Sequence, residues 1–357
     1  MALTQGNADL VVRRNVAFGA NFYGFEYNAL KCDDIAAPTT VFENNIAHSI
    51  AGYGFIALPS GRGGDCTEVS FLKGYKNKLA TVAATNKELR CHDLVTVGSG
   101  FGIACMGQGG GDVKVYDSTI YGDKDDPNED FGNCFGSIGI LMSTFGGHAA
   151  KAPKVSKWPK MMSGGGAHGT SLYENIVFIG LDGKTKCGKR QVAIQTNHLH
   201  SDYHPYGEFR FMEFRDTSKE NIIHMSSPSP GWANPDDCGP FTCTGLYNTI
   251  AKFDRTSYTG SPNALGLPTT FQVIPDNKES VSSQVIPFCS EMKKEWNGFI
   301  CENDNLGILL IDSRDPDRMT RNQQPLYVQD SPLGVEPEYN NRLNAYMDHC
   351  WDGMYTC

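Results

Sequence analysis

Short apolar runs punctuated by Gly, Asn and Asp recur along most of the chain. Examples are "DLVV", "TVF", "GFIAL", "EVSFL", "VKVY", "GILM", "IVFI", "VAIQ", "FRFMEF", "TFQVI" and "GILLI". They are rich in Val, Ile and Phe and bounded by turn residues, which is the signature of strands. They are too short for helices, and the glycines between them break any longer one. The pattern predicts an all-β protein.

Two of these phrases are copies. "VVRRNVAFGANFYGFEY" begins at Val11 and "VFENNIAHSIAGYGFIAL" at Val41. Both run apolar, polar, Asn, aliphatic, Ala, and reach a Gly-Phe a few residues on. Polar residues precede a short apolar strand again at Asp93, Asn175 and Asn248, at intervals of roughly 25 to 60 residues. Repeats of that length, each too small to bury its own apolar face, predict a right-handed parallel β-helix, a solenoid with loops inserted into some of its turns. Asn15, Asn45, Asp93, Asn175 and Asn248 are then the turn residues. Such side chains tolerate left-handed backbone and can stack as a ladder from one turn to the next. His48 falls where the other copy has Phe18, so its expected role is packing rather than proton transfer. A sandwich or barrel would need many hairpin turns, and dipeptides such as Asp182-Gly183 and Asn297-Gly298 are too few for that.

Two segments interrupt the pattern. Residues 146–169 are rich in Lys, Pro and Gly. Lys151, Lys154, Lys157 and Lys160 recur every third residue, the period of polyproline II, and can line one edge as a basic rail or stand as a solvated loop. Near the C-terminus, Leu343, Tyr346, Met347, Cys350 and Trp351 fall on one face at helical spacing. Asn340 or Asn341 can cap the start and Gly353 the end. The sequence therefore divides into a β-helix over 1–313, carrying the insertion, and an extension over 314–357 with a short helix that caps the stack.

Composition narrows the function. The net charge of −9 argues against general nucleic-acid binding. No apolar run is long enough to span a membrane as a helix. Twelve scattered cysteines, without CxxC or zinc spacing, point to disulfides in an oxidising compartment. Cys238 with Cys243, and Cys350 with Cys357, can close small loops. The chain opens without a signal peptide, so the expectation is a fragment of a longer secreted protein. It has no N-x-Ser/Thr sequon.

Candidate chemistry is sparse. The acidic run Asp123, Asp125, Asp126, Asn128 and Asp130 offers oxygens for Ca²⁺, or is simply an acidic loop. His198, His200 and His204, with Asp202 among them, have a spacing that suits a transition metal. No cofactor is required by this reading, and Ca²⁺ is the one the chain could take. The adjacent pairs Asp33-Asp34 and Asp236-Asp237 would face opposite sides of a strand, which does not suit acid–base work. The Gly-x-Ser-x-Gly elbow is missing, as are the Asn-Thr-Asp, Gly-His-Gly and Arg-Ile-Lys signatures of pectinase-like glycosidases.

At "RRNVAFGANFYGFEY", "FENNIAHSIAGYGFIAL" and "LGILLIDSRDPDRMTRNQQPLYV" the chain resembles the fibrocystin and fibrocystin-L family. The resemblance implies an extracellular or cell-surface protein built of parallel β-helix repeats, without established catalysis. No G8 domain or transmembrane segment is visible in this stretch. The expected function is that of a non-enzymatic structural subunit of a filament, coat or appendage that associates with itself. The rivals are a β-helix polysaccharide lyase or glycosidase, and a glycan-binding module.

Overall fold

The computed structural model describes residues 2–3, 11–27, 41–57, 66–86, 88–108, 113–123, 137–145, 170–184, 188, 190–196, 206–225, 250–260, 266–275, 289–302, 306–310, 326–328, 341–343 and 352–356. The protein is all-β and built on long parallel sheets, consistent with a β-helix. One sheet has eight strands, ordered Ala2–Leu3, Tyr23–Tyr27, Tyr53–Ala57, Ala80–Asn86, Phe101–Gln108, Ser137–Phe145, Gln191–Thr196 and Ile223–His224. Every pairing in it is parallel. The strands between these belong to other walls, so each pass around the core adds one rung to every wall.

Two sharp corners bound the rest of each rung. At the first, the backbone is left-handed at Arg14, Asn44, Phe71, Asp93, Asp117, Asn175, Phe211 and Arg255, one residue in each of eight rungs. Five residues further on, the second corner repeats it at Gly19, Ser49, Lys76, Gly98, Gly180, Asp216 and Gly260. Phe71 to Asp93 is 22 residues and Asp117 to Asn175 is 58. The short interval is a bare rung, and the long one carries the lysine-rich insertion.

The interior is filled by columns in register. One runs Val69, Cys91, Val115, Tyr173, Phe209, Phe253 and Phe271. Another runs Ala17, Ala47, Gly74, Thr96, Ile120, Phe178, Phe214 and Tyr258. The eight-stranded sheet supplies Phe25, Phe55, Val82, Ile103, Ile140, Ile194 and Ile223. Side chains on the first two columns are small early and aromatic late. The late rings form a stack in which Tyr173, Phe209, Phe253 and Phe271 follow one another at 4.6, 4.9 and 4.5 Å.

Parallel stacking stops after Ser257–Thr259. Phe271–Pro275 turns back antiparallel to Ile250–Asp254, and Gly298–Glu302 and Cys289–Met292 add two more antiparallel strands. A disulfide joins Cys289 to Cys301 across the last pair. The single helical turn Lys293–Trp296 leads back across the end, and the Trp296 ring completes the aromatic stack at 5.9 Å from Phe271. Its indole N–H donates to the Lys219 carbonyl at 2.8 Å.

The expected C-terminal capping helix is not seen. Asn341–Leu343 pairs antiparallel with Leu326–Val328, and Asp352–Thr356 with Leu306–Leu310. Both ends of the expected helix are thus committed to ladders, and the second includes Gly353, a weak helix former. Leu343 lies in a strand. Tyr346, Met347 and Trp351 lie outside the described residues.

Candidate functional site: the corner ladder and the first rung

From the second rung on, the residue after the first left-handed corner is buried: Asn45, Leu72, Leu94, Ser118, Ile176, Met212 and Thr256, whereas Asn15 of the first rung is exposed. A buried amide needs its hydrogen bonds met. Asn45 Oδ1 accepts from the Asn15 backbone N–H at 3.1 Å and from Asn15 Nδ2 at 3.3 Å, and Asn45 Nδ2 donates to the Val12 carbonyl at 3.0 Å. The two asparagines therefore stack, but the left-handed turns are made by Arg14 and Asn44 just before them. Asp93 and Asn175 do hold left-handed backbone, at φ 52° and 52°. Asn175 Nδ2 donates to Asp117 Oδ1 at 2.5 Å. Asn248 lies outside the described residues.

The second corner carries a polar ladder that the repeat pattern did not reveal. Asn77 Oδ1 accepts from the Ile50 N–H at 3.3 Å, and Asn77 Nδ2 donates to the Ala47 carbonyl at 3.1 Å. Ser99 Oγ accepts from the Asn77 N–H, and Thr81 and Ser99 hydroxyls meet at 2.9 Å. The sequence "KNK" reads as surface, and its only signal is the place of Asn77 one residue after a corner.

Outside the walls, Phe18, His48 and Tyr75 stand in register on successive strands. Their rings stack at 5.7 and 4.4 Å with planes within 12° and 5°. Rings stacked along the rung axis turn their edges, not their faces, to solvent. Phe18 is the exception, being the terminal ring, and it is 70% exposed. Of the large hydrophobic side chains that are exposed among the described residues, Val11, Val16, Phe18 and Phe22 all belong to this first rung. Its strands Val11–Arg13 and Val16–Phe18 each have a neighbour on one side only among the described residues.

On the adjoining wall His92 is held between two carboxylates, Asp93 Oδ2 at 2.8 Å and Glu68 Oε1 at 3.3 Å, with its ring stacked on Tyr116 at 4.8 Å. The bond to Glu68 is the main cause that raises its pKa above the ordinary histidine value, with Asp93 adding to it against partial burial. A raised pKa stabilises the fold where the unfolded imidazole is already protonated, below about pH 6.5, and that stability is lost as pH rises through the folded value. His224 works in the opposite direction, because burial and then Arg190 lower its pKa. The difference between wild type and His92→Gln isolates the first effect. It should be larger at pH 6 than at pH 8 by roughly 1 kcal/mol, in denaturant titrations. An NMR titration should show His92 falling toward the ordinary value in Glu68→Gln; an unchanged midpoint would rule this account out.

Of the acidic run, Asp123 is described, and its backbone carbonyl accepts from Gln191 Nε2 at 2.8 Å. Asp125, Asp126, Asn128 and Asp130 lie outside the described residues, as do His198, His200 and His204 and the four lysines Lys151, Lys154, Lys157 and Lys160. Among the described residues no three His, Cys, Asp or Glu side chains come together as a metal site would need. No described helix is long and apolar enough to cross a membrane.

No family model matches the chain. Fibrocystin-L of Homo sapiens is 21% identical to it over 250 residues, which is 62% of this chain and 6% of that protein. Fibrocystin-L of Mus musculus is 21% identical over 249 residues, again 62% of this chain and 6% of that protein. The chain spans about 6% of the length of these relatives. The fibrocystin-like character of its repeats thus has support at the level of sequence, and what the chain is similar to is a short stretch of fibrocystin-L.

Proposed function

We propose that the chain is a right-handed parallel β-helix that serves as a non-enzymatic structural subunit of an extracellular, cell-surface filament, coat or appendage. The observation that carries this reading is the contrast between its two ends. The C-terminal end of the parallel stack is closed by antiparallel strands, a disulfide and the Trp296 ring. Among the described residues Val11–Arg13 and Val16–Phe18 of the first rung instead present strand edges, together with exposed Val11, Val16, Phe18 and Phe22, while Ala2–Leu3 covers Tyr23–Tyr27. An unpaired edge with apolar side chains is a template for another strand. Self-association runs through this rung, where an added rung would continue both the ladder and the ring stack beyond Phe18. Fibrocystin-L similarity supports the placement outside the cell.

The test is electron microscopy and sedimentation of the purified chain beside Val16→Lys/Phe18→Glu. Regular assemblies from wild type, and dispersed particles with unchanged circular dichroism from the variant, are the expected result. Assembly that ignores the substitutions would place the contact elsewhere, and a wild type that stays monomeric at all concentrations would overturn the reading.

A further inference from the structure

Cys91 and Cys105 face each other across the interior of one rung. Cys91 sits in Glu88–His92, between Val69 and Val115 of the neighbouring rungs. Cys105 sits in Phe101–Gln108, beside Ala84 of the eight-stranded sheet. Both side chains are buried, and their Sγ atoms lie 2.7 Å apart. That is well inside the separation at which two unbonded sulfurs pack. The next residue of the Cys91 column after Val115 is Tyr173, also buried. Each thiol is thus enclosed by apolar neighbours and aimed at the other from an opposing wall.

We propose that Cys91 and Cys105 are joined as a disulfide that ties two walls of one rung together through the core. The bond forms before the rung closes, by exchange with a low-molecular-weight disulfide such as oxidised glutathione. The Cys91 thiolate attacks one glutathione sulfur, giving a mixed disulfide and releasing one glutathione thiolate. The Cys105 thiolate then attacks Cys91 Sγ and displaces the second glutathione. Two protein thiols lose two protons and two electrons, and the glutathione disulfide is reduced to two thiols. Once the rung is closed the sulfurs are out of reach of solvent. In the reduced chain the Cys91 sulfur and then burial raise the Cys105 pKa, which disfavours the thiolate needed for exchange within a closed rung and so favours oxidation before closure.

The inference is tested on full-length chain secreted from an oxidising compartment, unfolded in guanidinium with N-ethylmaleimide and no reductant, then digested. No Lys or Arg separates the two cysteines, so cleavage must fall before Asp93 or after Phe101. The expected result is a cross-linked peptide pair containing Cys91 and Cys105, free of maleimide. Maleimide on both would overturn the proposal. In the folded chain, dithiothreitol should open Cys289–Cys301, where Cys289 is partly exposed, well before the core pair. Equal rates would contradict the core location. Cys91→Val/Cys105→Ala should lower the melting midpoint by roughly 5–10 °C when the parent is oxidised. A variant that melts with the oxidised parent would also count against the bond.

Discussion

Trp296→Ala should destabilise the chain by about 3–5 kcal/mol, the range for removing a fully buried large aromatic ring. The ring is inaccessible to solvent and ends the stack that runs from Tyr173 through Phe209, Phe253 and Phe271. Truncation leaves a cavity against Phe271 and removes one of the two hydrogen bonds to the Lys219 carbonyl, which keeps the Ile222 N–H at 3.3 Å. The helical turn that carries Trp296 is also joined to the stack by the Met225 N–H, which donates to the Trp296 carbonyl at 2.8 Å, a backbone bond that the substitution leaves in place. Stacked rungs exchange stability mainly with their neighbours. The loss should therefore be uneven. Amide exchange should accelerate first in Phe271–Pro275 and Ile250–Asp254, and least in Tyr53–Ala57. Trp296→Phe keeps the stacking and loses the indole hydrogen bond, and should cost only about 1 kcal/mol. Uniform acceleration along the chain, or equal costs for the two variants, would mean that Trp296 does not act as an end-plug.

The parts of this fold that were legible in the sequence are those where a position does one job in every rung. Phe18 and His48 align in the text and pair in the structure, where their rings stack. The intervals between repeats already contained the long insertion. The left-handed corners were harder to place. The constraint falls on the backbone one residue before the buried position, where the side chain points to solvent and almost any residue is accepted. Even Phe71 and Phe211 occupy it, at φ 51° and 55°. Their rings recover contact outside, Phe71 edge-on to His92 and Phe211 beneath the Arg255 guanidinium at 5.0 Å. The asparagine ladder is a real feature of the first two rungs, but Leu72 and Leu94 take over its place. An apolar side chain fills the same volume without a hydrogen-bond demand.

The closing end was illegible for a different reason. Antiparallel strands and one helical turn break the repeat, so Trp296 has no copies with which to be aligned. The apolar residues near the C-terminus do have helical spacing, yet strand partners far away in sequence claim both ends of that segment. Local periodicity cannot see such partners. The same holds for Cys91 and Cys105, whose meeting depends on two walls folding over one another and leaves no mark in their spacing.

Gly139→Val should be strongly damaging in the middle of the stack, costing about 3 kcal/mol. Gly139 is buried in Ser137–Phe145, where successive rungs approach each other through glycine. A Cβ there would lie 2.5 Å from the Ala193 carbonyl oxygen, 2.9 Å from the Phe178 ring and 3.2 Å from Ile120. The first of these is backbone in the next strand, held by the pairings Ile138 with Val192 and Ile140 with Ile194. It cannot move without opening that ladder. The second is a ring fixed in its own stack with Phe214 at 5.1 Å. Both sides of the would-be side chain are therefore rigid, and relief by rotamer change is closed off. Gly183 is the control, because a Cβ there meets nothing within 4 Å and Gly183→Ala should stay within about 0.5 kcal/mol. Equal unfolding midpoints for the two variants would show that the rungs are not packed at contact distance through Gly139, and the continuous core described for this chain would fail with it.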